Sequence, residues 1–448
     1  MRHVESVNIF DFGYPANREL QQVLLPHCGM QHCIFCSSYG DWWCFLPRPD
    51  DYQVYHREML RKVLELEPKV VEVQAGFEPL DPFLRHATLQ LVTWLLDHGF
   101  TVKLFTHLIF PIEEISEFFE EIVRKVGARS IVEEKLQVHT SCHAVDPYVL
   151  SEIWTYDLRT VVRNFRTWLS NVWWLVNAGI YVGFHFVVTR LNINEIFKVY
   201  ALACLLGARQ LSFLRLAPQG LAERFWNYVA PTWIDWIRIY AKFLRLIRFI
   251  TNLMFGDFTK YDILLNNIRD MFNYIRAVYG IEIPYVIDHP LPKPRFGCPI
   301  NWFFIILDSP IIKEDDPYLK DALEVLGIYP PPKCVVVEGN HVCIDVGGYF
   351  PCIGMKDYSE RCRTMQELDR TRIRIIRTYL SEECKSCPYF ELCLGKCYAQ
   401  KIAFGVKIDP LCRILKKYRD EIAKMSLNKY YNPLASRDIN MALTIKKD

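Results

Sequence analysis

The 448-residue sequence has almost no net charge, because 53 lysine and arginine residues face 51 aspartate and glutamate residues and leave a formal charge of +2. A protein that coats nucleic acid needs a large basic excess, so the composition argues against that class. Internal repeats and low-complexity tracts are also missing. Hydrophobic residues make up 51% of the chain, which excludes a mostly disordered protein and predicts more than one packed unit.

Targeting and membrane signals are missing as well. The segment Met1–Tyr14 carries charges and has no apolar core of a signal peptide. An uncharged run, Thr167–Thr189, is long enough to span a bilayer. However, Asn177-Ala178-Gly179 is typical of a helix end, and Ile180–Val188 of a strand that follows it. We therefore expect a soluble cytoplasmic protein with neither a membrane nor a nucleic acid as its partner.

Cysteine, in contrast, is abundant. The sixteen cysteines are clustered, whereas disulfide frameworks belong to short secreted chains with too little core of their own. Clustered cysteines in a long cytosolic chain indicate metal ions or iron–sulfur clusters instead.

The first half of the sequence alternates strand-like and helix-like segments. The predicted strands are Leu20–Leu25, Lys69–Gln74, Val102–Thr106, Lys135–His139, Tyr181–Thr189 and Gln210–Leu216, and the helices between them are Met59–Leu66, Phe83–Leu96, Ile112–Val126, Arg163–Asn177 and Glu195–Leu206. Such alternation predicts an α/β fold with a parallel sheet, open or closed into a barrel. In α/β barrels the chemistry lies at the carboxyl ends of the strands.

The pattern changes after Gly220. Trp233–Phe255 and Lys260–Val278 are predicted helices, followed by stiff linkers at His289–Pro294 and Tyr329–Pro332 and by a closing helix at Lys416–Lys429. The first of these helices has a basic face formed by Arg238, Lys242 and Arg245. We expect this face to be solvated; the alternative is a basic wall that faces an acidic substrate.

The first cysteine cluster follows the first predicted strand and consists of Cys28, Cys33 and Cys36. Three thiolates at this spacing can hold three irons of a [4Fe–4S] cluster and leave the fourth iron open to a ligand. A zinc site with a distant fourth ligand has the same spacing, so the cysteines alone leave both alternatives open.

The context of this cluster resembles the radical S-adenosylmethionine (radical SAM) superfamily, over roughly Leu20–Gly220. That family has a partial (β/α)6 barrel with a C-x3-C-x2-C loop after strand one; the present loop is one residue longer, with Phe35 at the usual aromatic position. The second strand ends in Gln74-Ala-Gly76-Phe-Glu78-Pro-Leu80, which is similar to the family's G-G-E-P-L motif. The resemblance implies that Gly76 and Glu78 hold the SAM amino group.

Four further positions align with the family's SAM contacts, although His139 stands where many relatives have a serine and the segment with Arg159 is one residue short. The resemblance implies cofactor contacts at His139 in the fourth strand, Arg159, Asn192 after the fifth strand and Leu216 after the sixth. For His139 the alternative is a buried barrel histidine, and for Arg159 a helix salt bridge.

The second cysteine cluster resembles the seven-cysteine SPASM domain, whose spacings it meets throughout. The resemblance implies two auxiliary [4Fe–4S] clusters: the first bound by Cys334, Cys352 and Cys397, with Cys343 as the candidate fourth ligand, and the second by Cys384, Cys387, Cys393 and Cys412. A zinc ribbon is the alternative. Of the remaining cysteines, Cys44, Cys142, Cys204, Cys298 and Cys362, we expect inert thiols, except that Cys298 is a candidate ligand.

Taken together, the two resemblances predict the domains and the function. The expected units are an N-terminal extension (1–19), a radical SAM barrel (20–223), a helical insert and linker (224–333), a SPASM-like domain (334–415) and a C-terminal helix and tail (416–448). The implied activity is reductive cleavage of SAM to a 5′-deoxyadenosyl radical, with oxidative modification of a peptide, protein or cofactor precursor. A low-potential donor of ferredoxin or flavodoxin type is the implied electron source. Ile353 counts against a sulfatase-maturating activity, and the alternative function is a non-enzymatic electron carrier or zinc-structured binding protein.

Overall fold

The computed structural model describes residues 4–9, 33–36, 60–73, 78–80, 85–283, 289–297, 300–345, 348–355 and 358–427. Within them, one sheet of nine strands has the order β7-β6-β5-β4-β3-β2-β1-β8-β9. The strands are β1 (Ser6–Ile9), β2 (Val70–Val73), β3 (Thr101–Phe105), β4 (Leu136–Ser141), β5 (Tyr181–Val188), β6 (Gln210–Arg215), β7 (Lys293–Phe296), β8 (His341–Asp345) and β9 (Gly348–Phe350). All neighbours are parallel except β8 and β9.

Helices connect the strands and cover the sheet. They are α1 (60–66), α2 (Arg85–Asp97), α3 (Ile112–Val126), α4 (Arg129–Lys135), α5 (Pro147–Trp154), α6 (Leu158–Asn177), α7 (Ile196–Leu206), α8 (Leu221–Arg224), α9 (Trp226–Val229), α10 (Trp233–Met254), α11 (Phe258–Tyr279), α12 (Phe303–Leu307), α13 (Pro310–Asp315), α14 (Leu319–Val325), α15 (Val335–Glu338), α16 (Met365–Tyr379), α17 (Glu382–Lys385), α18 (Phe390–Cys393), α19 (Tyr398–Ala403) and α20 (Pro410–Ser426). No helix in the described ranges is long and apolar enough to cross a membrane.

The two faces of the sheet differ in chemistry. On the helix-covered face, Val71, Leu104, Val138 and Val182 are fully buried and form the core. Because side chains alternate along a strand, the neighbouring residues point to the opposite face. That face carries polar side chains, which are Glu72, Lys103, Gln137, His139, Tyr181 and His185. A parallel sheet with one polar face is suited to enclose a site.

The strand that pairs with β2 differs from the prediction. Ser6–Ile9 pairs with Val70–Val73, although this segment was expected to be part of an N-terminal extension. Val4 and Val7 are buried in the core, which is the physical reason for its place in the sheet. The predicted strand Leu20–Leu25 lies outside the described residues.

The predicted linker at His289–Pro294 is also corrected, because Lys293–Phe296 extends the sheet as β7. Lys293 donates its N–H to Arg209 and Gly297 donates to Phe213. Pro294 lies between them, at a position where no N–H is needed for pairing. The prolines therefore do not prevent a strand at this edge.

The basic face of α10 is only partly solvated, contrary to the expectation. Arg238 is exposed, but Lys242 is half-buried and donates to Asn194 Oδ1 at 2.9 Å and to the Ile193 carbonyl at 3.2 Å. Arg245 donates to the Met425 carbonyl at the end of α20. Burial lowers the Lys242 pKa to about 8. These side chains therefore tie α10 to its neighbours.

The cysteine-rich region joins the same sheet. β8 pairs in parallel with β1 and forms an antiparallel hairpin with β9. The predicted closing helix begins earlier than expected, at Pro410, and ends at Ser426. It packs along α10, so the two regions share both a sheet and a helix interface.

Candidate active site and cysteine clusters

Glu78 lies at the carboxyl edge of the sheet, after β2, and is 2% exposed. Its Oε1 accepts hydrogen bonds from the Thr106 hydroxyl and, at 3.2 Å, from the Leu80 N–H. Its Oε2 accepts the His107 N–H at 2.5 Å. These donors are neutral, so they orient the carboxylate without cancelling its charge.

Thr106 and His107 directly follow β3 and were missed by the sequence analysis. The signal that could have found them is their position, because adjacent parallel strands end at the same edge of a sheet. The His107 Nε2 lies 3.9 Å from Glu78 Oε2. Burial lowers the His107 pKa to about 4, so this ring is neutral near pH 7.

The described part of the first cysteine cluster, Cys33–Cys36, is bound on two sides. The Ile34 N–H donates to the Ile153 carbonyl of α5 at 2.8 Å, and the Leu221 N–H of α8 donates to the Cys36 carbonyl at 3.0 Å. Burial and the neighbouring Cys36 raise the pKa of the Cys33 thiol. Cys28 and Gly76 lie outside the described residues.

The loop also has a packing contact inside the barrel. Phe35 is buried, and its ring meets His143 edge to face at 5.0 Å between centroids. The predicted aromatic position therefore packs against the segment after β4. Burial lowers the His143 pKa to about 3, which keeps this ring neutral as well.

His139 occupies the polar face of β4, beside His185 of β5. The His139 Nδ1 lies 3.0 Å from His185 Nε2, and the His139 ring stacks on Phe105. The His139 Nε2 is buried and has no hydrogen-bond partner among the described residues. A Cβ at Gly183 would lie 2.7 Å from His139 Nδ1, so glycine makes room for this ring. His139 is thus a buried histidine with one nitrogen left for a ligand.

Asn192 is fully buried, and protein atoms use its side chain completely. Its Oδ1 accepts from the Thr189 N–H and hydroxyl at 2.9 and 3.0 Å. Its Nδ2 donates to the carbonyls of Val187 and His143 at 2.9 and 3.0 Å. The side chain therefore braces the end of β5, and only the backbone of Asn192 is left for a cofactor contact.

Leu216 and Arg159 differ strongly in their surroundings. Leu216 is buried after β6, and its carbonyl accepts from Gln400 Nε2 of α19 at 3.3 Å. Arg159 is exposed at the start of α6, where it lines a groove together with Val162, Arg163 and Tyr279. The predicted cofactor contact at Arg159 stays a prediction.

The cysteines expected to hold the first auxiliary cluster fall into two environments. Cys334 and Cys397 share a buried apolar cluster, against which Cys352 packs. Cys343 instead packs with Phe350 in another cluster, and its Sγ lies 3.5 Å from the His341 Nε2. Cys334, Cys352 and Cys397 thus lie in one neighbourhood, whereas Cys343 lies in a different one.

The four cysteines expected to hold the second auxiliary cluster line one pocket, with a cavity volume of about 20 Å³. They are Cys384, Cys387, Cys393 and Cys412. Burial raises the pKa of Cys393 to about 11 and that of Cys412 to about 12. Buried thiols with these pKa values ionise only when a cationic group compensates them.

Lysine side chains complete the lining of this pocket. Across the described ranges, no group of three His, Cys, Asp or Glu side chains is arranged to hold one metal ion. Lys396, Lys401 and Lys416 also line the pocket, and they complement the negative charge of a thiolate-bound cluster.

Comparisons with known proteins show the fold. No family model and no curated protein matches the chain. Streptococcus suis SuiB bound to precursor peptide SuiA is similar at a TM-score of 0.52 and 13% identity, over 92% of this chain and 76% of that one. Native anSMEcpe with bound AdoMet and Kp18Cys peptide has a TM-score of 0.51 and 14% identity, over 98% and 99%. The chain therefore has the fold of radical SAM barrels with SPASM domains, which confirms the predicted fold class.

Proposed function

We propose that this protein is a radical SAM enzyme of the SPASM subgroup that modifies a peptide substrate in the cytoplasm. The observation that carries the proposal is the oriented, buried carboxylate of Glu78 at the carboxyl edge of the sheet in this barrel fold. When bound, SAM and its [4Fe–4S] cluster would supply a 5′-deoxyadenosyl radical by reductive cleavage. The electron would come from a carrier of ferredoxin or flavodoxin type.

The chain's own residues bind and orient the cofactor. Cys28, Cys33 and Cys36 would ligate three irons. The Glu78 carboxylate, held by Thr106 and His107, would accept hydrogen bonds from the SAM ammonium, and Gly76 would let the backbone approach.

Other proposed contacts use the remaining free atoms at this edge. The His139 Nε2 is buried without a partner in the described ranges, and it would donate or accept one hydrogen bond at the ribose. Asn192 and Leu216 would contribute backbone atoms, since the Asn192 side chain is engaged.

The two cysteine groups of the SPASM-like domain would hold auxiliary [4Fe–4S] clusters. Cys384, Cys387, Cys393 and Cys412 already line one pocket with three lysines. For the other site the three grouped thiols are Cys334, Cys352 and Cys397. Cys343 remains the proposed fourth ligand, although it packs elsewhere.

A peptide is the favoured substrate. SuiB and anSMEcpe were each obtained with a peptide bound, and both share this fold. An iron–sulfur carrier without enzymatic activity would have no use for a buried carboxylate aimed at the barrel edge, so we favour the enzyme.

Substitution of Glu78 tests the proposed SAM site. In E78Q the shape is kept but the charge is lost, so we expect SAM binding to weaken roughly 10- to 100-fold, the range of a charge-assisted hydrogen bond. Isothermal titration of the anaerobically reconstituted protein measures this. In E78A, SAM cleavage should be abolished.

The matched control is E195Q. Glu195 is 1% exposed, accepts the Val145 and Asp146 N–H groups at 2.8 and 3.0 Å and pairs with Lys198 Nζ at 2.8 Å, so its substitution reports the effect of a buried carboxylate lost away from Glu78. We expect it to retain wild-type SAM affinity. If E78Q binds SAM as tightly as the wild type, the assignment of Glu78 is wrong.

A further inference from the structure

The exposed side of α6 carries an arginine stripe, which we define as Arg159, Arg163 and Arg166. Their spacing of four and three residues places them on one face of the helix, and all three are exposed. Their guanidinium groups make no hydrogen bond or ion pair with any residue that the structure describes. This concentration of charge stands out in a chain whose net charge is only +2.

The stripe has no acidic counterpart along the chain. Between Leu158 and Asn194 there is neither an aspartate nor a glutamate. On α3, in contrast, Arg124 and Lys125 both pair with Glu121. Cations in the first turns of a helix also oppose the positive end of its dipole. Of the three arginines only Arg159 lies in the first turn, and the charges of Arg163 and Arg166 are not balanced by any acidic residue within α6.

Next to the stripe lies a shallow groove that can make apolar contacts. It is lined by Leu158, Val162 and Tyr279 together with the arginines; Leu158 is 37% exposed and supplies the accessible apolar surface, whereas Tyr279 is only 1% exposed. A protein interface combines such an apolar patch with a charged rim. The charge of this rim selects an acidic partner.

The stripe is close to the first cysteine cluster. The Ile34 N–H, between Cys33 and Cys36, donates to the Ile153 carbonyl at 2.8 Å. Six residues lead from Ile153 to Arg159, a span of at most roughly 20 Å. An electron carrier bound at the Arg159 end of the stripe would therefore lie within this span of the Ile153 carbonyl that the cysteine loop contacts.

We propose that the arginine stripe is the docking surface for a small acidic electron-carrier protein of the ferredoxin or flavodoxin class. One electron leaves the reduced carrier and is accepted by the group held at the Cys33–Cys36 loop. The role of the carrier in supplying an electron rests on the proposed function, whereas the docking surface itself is tested by a binding measurement.

The test uses the full-length reconstituted protein and a bacterial flavodoxin as the probe. In R163E/R166E, which leaves Arg159 intact, we expect flavodoxin binding to weaken tenfold or more at about 0.02 M salt. The wild-type affinity should fall steeply towards about 0.2 M salt, and that of the variant should not. R163Q/R166Q should give an intermediate loss, and it replaces the charge reversal if that variant fails to fold.

R124E/K125E is the matched control, because it makes the same charge change on α3. It should bind flavodoxin as the wild type does. SAM cleavage driven by dithionite, a small reductant that needs no docking surface, should be equal in R163E/R166E and the wild type.

The outcomes separate the two proposals. If flavodoxin binding by R163E/R166E equals that of the wild type, or if R124E/K125E weakens binding equally, the docking surface is overturned. If R163E/R166E loses dithionite-driven SAM cleavage but still binds flavodoxin, the stripe acts on the cofactor or the substrate, and the docking surface is overturned as well. If the wild type fails to cleave SAM while R163E/R166E still loses flavodoxin binding, the proposed function fails and the docking surface stands.

Discussion

The polar face of the barrel carries several histidines that the fold keeps neutral. His143 is buried, whereas His107 and His185 are half-buried, and desolvation lowers their pKa values to about 3, about 4 and about 4, respectively. Neutral imidazoles can donate or accept a hydrogen bond according to tautomer, which suits a site that binds a polar cofactor. In acid the folded state loses stability, because the histidines of the unfolded chain bind protons at a higher pH than those of the folded chain do.

The free energy of unfolding should therefore fall as the pH drops below about 6.5. A histidine whose folded-state pKa is depressed contributes stability above its unfolded pKa of about 6.5 and loses it towards the folded value. For His185 the loss between pH 7 and pH 5 is roughly 2 kcal/mol. Urea unfolding at several pH values measures the slope.

The substitution H185Q isolates the contribution of one ring to this slope. We expect a shallower pH dependence for H185Q, while H86Q, at an exposed position on α2, should leave the slope unchanged. A slope in H185Q equal to that of the wild type would contradict the assignment of the effect to this histidine.

At the scale of elements, β6 and α20 are joined by a buried ion pair. The Arg215 Nη1 lies 2.9 and 2.7 Å from the two carboxylate oxygens of Asp409, and the Asp409 side chain is fully buried. Asp409 also accepts the Leu411 N–H at 2.8 Å and so caps α20. This pair connects the barrel to the helix that carries Cys412.

Loss of the arginine alone should be strongly destabilising. R215M leaves the Asp409 carboxylate buried without its partner, which costs about 3–5 kcal/mol of unfolding free energy. In R215M/D409N, asparagine keeps the helix cap and removes the charge, so we expect most of the stability to return. Urea unfolding of the single and double variants measures the coupling.

An exposed ion pair provides the control for this experiment. Arg61 and Glu65 on α1 are more than half exposed, so R61A should change stability by less than about 1 kcal/mol. If R215M were no more destabilising than R61A, the ion pair between β6 and α20 would not hold the two regions together.

Elements with strong local signals could be predicted from the sequence. Helix α3 has the predicted bounds, Ile112–Val126. Glutamates occupy its first turn and basic residues occupy its last turn, and Gly127, with φ of 74°, ends the helix. Strand β7 could not be predicted, since Lys293–Phe296 is a strand only through its pairing with β6. The same holds for Ser6–Ile9, whose place depends on partners from distant parts of the chain.

The candidate site divides in the same way. The cysteine spacings and Glu78 follow from motifs in the sequence. The roles of Thr106 and His107 depend on the register between β2 and β3, which no local pattern contains. The engaged side chain of Asn192 depends on contacts with His143 and Val187, and it too is visible only in three dimensions.

At the scale of the whole molecule, the three cysteine groups predict the metal content. Three four-iron clusters would give about twelve irons and an equal amount of sulfide per chain. In C384A/C387A we expect about four irons fewer, because two thiols of the lysine-lined pocket are lost. SAM binding should persist in this variant, since Cys384 and Cys387 do not belong to the Cys33–Cys36 loop. Iron, sulfide and zinc are counted after anaerobic reconstitution.

The complementary variant, C33A/C36A, should also lose about four irons, but it should lose SAM binding as well. The two variants should differ in SAM binding because the two cysteine groups occupy separate positions. The loop with Cys33 and Cys36 is hydrogen-bonded to α5 and α8, whereas the lysine-lined pocket lies beside α19 and α20. C142A is the control, because Cys142 is buried on its own and burial raises the pKa of its thiol. It should retain the full iron content. A different outcome would be one zinc ion per chain in the wild type and an iron content that C384A/C387A does not change. The pocket lined by Cys384 and Cys387 would then be a structural zinc site, and only the cluster of the barrel would take part in SAM cleavage.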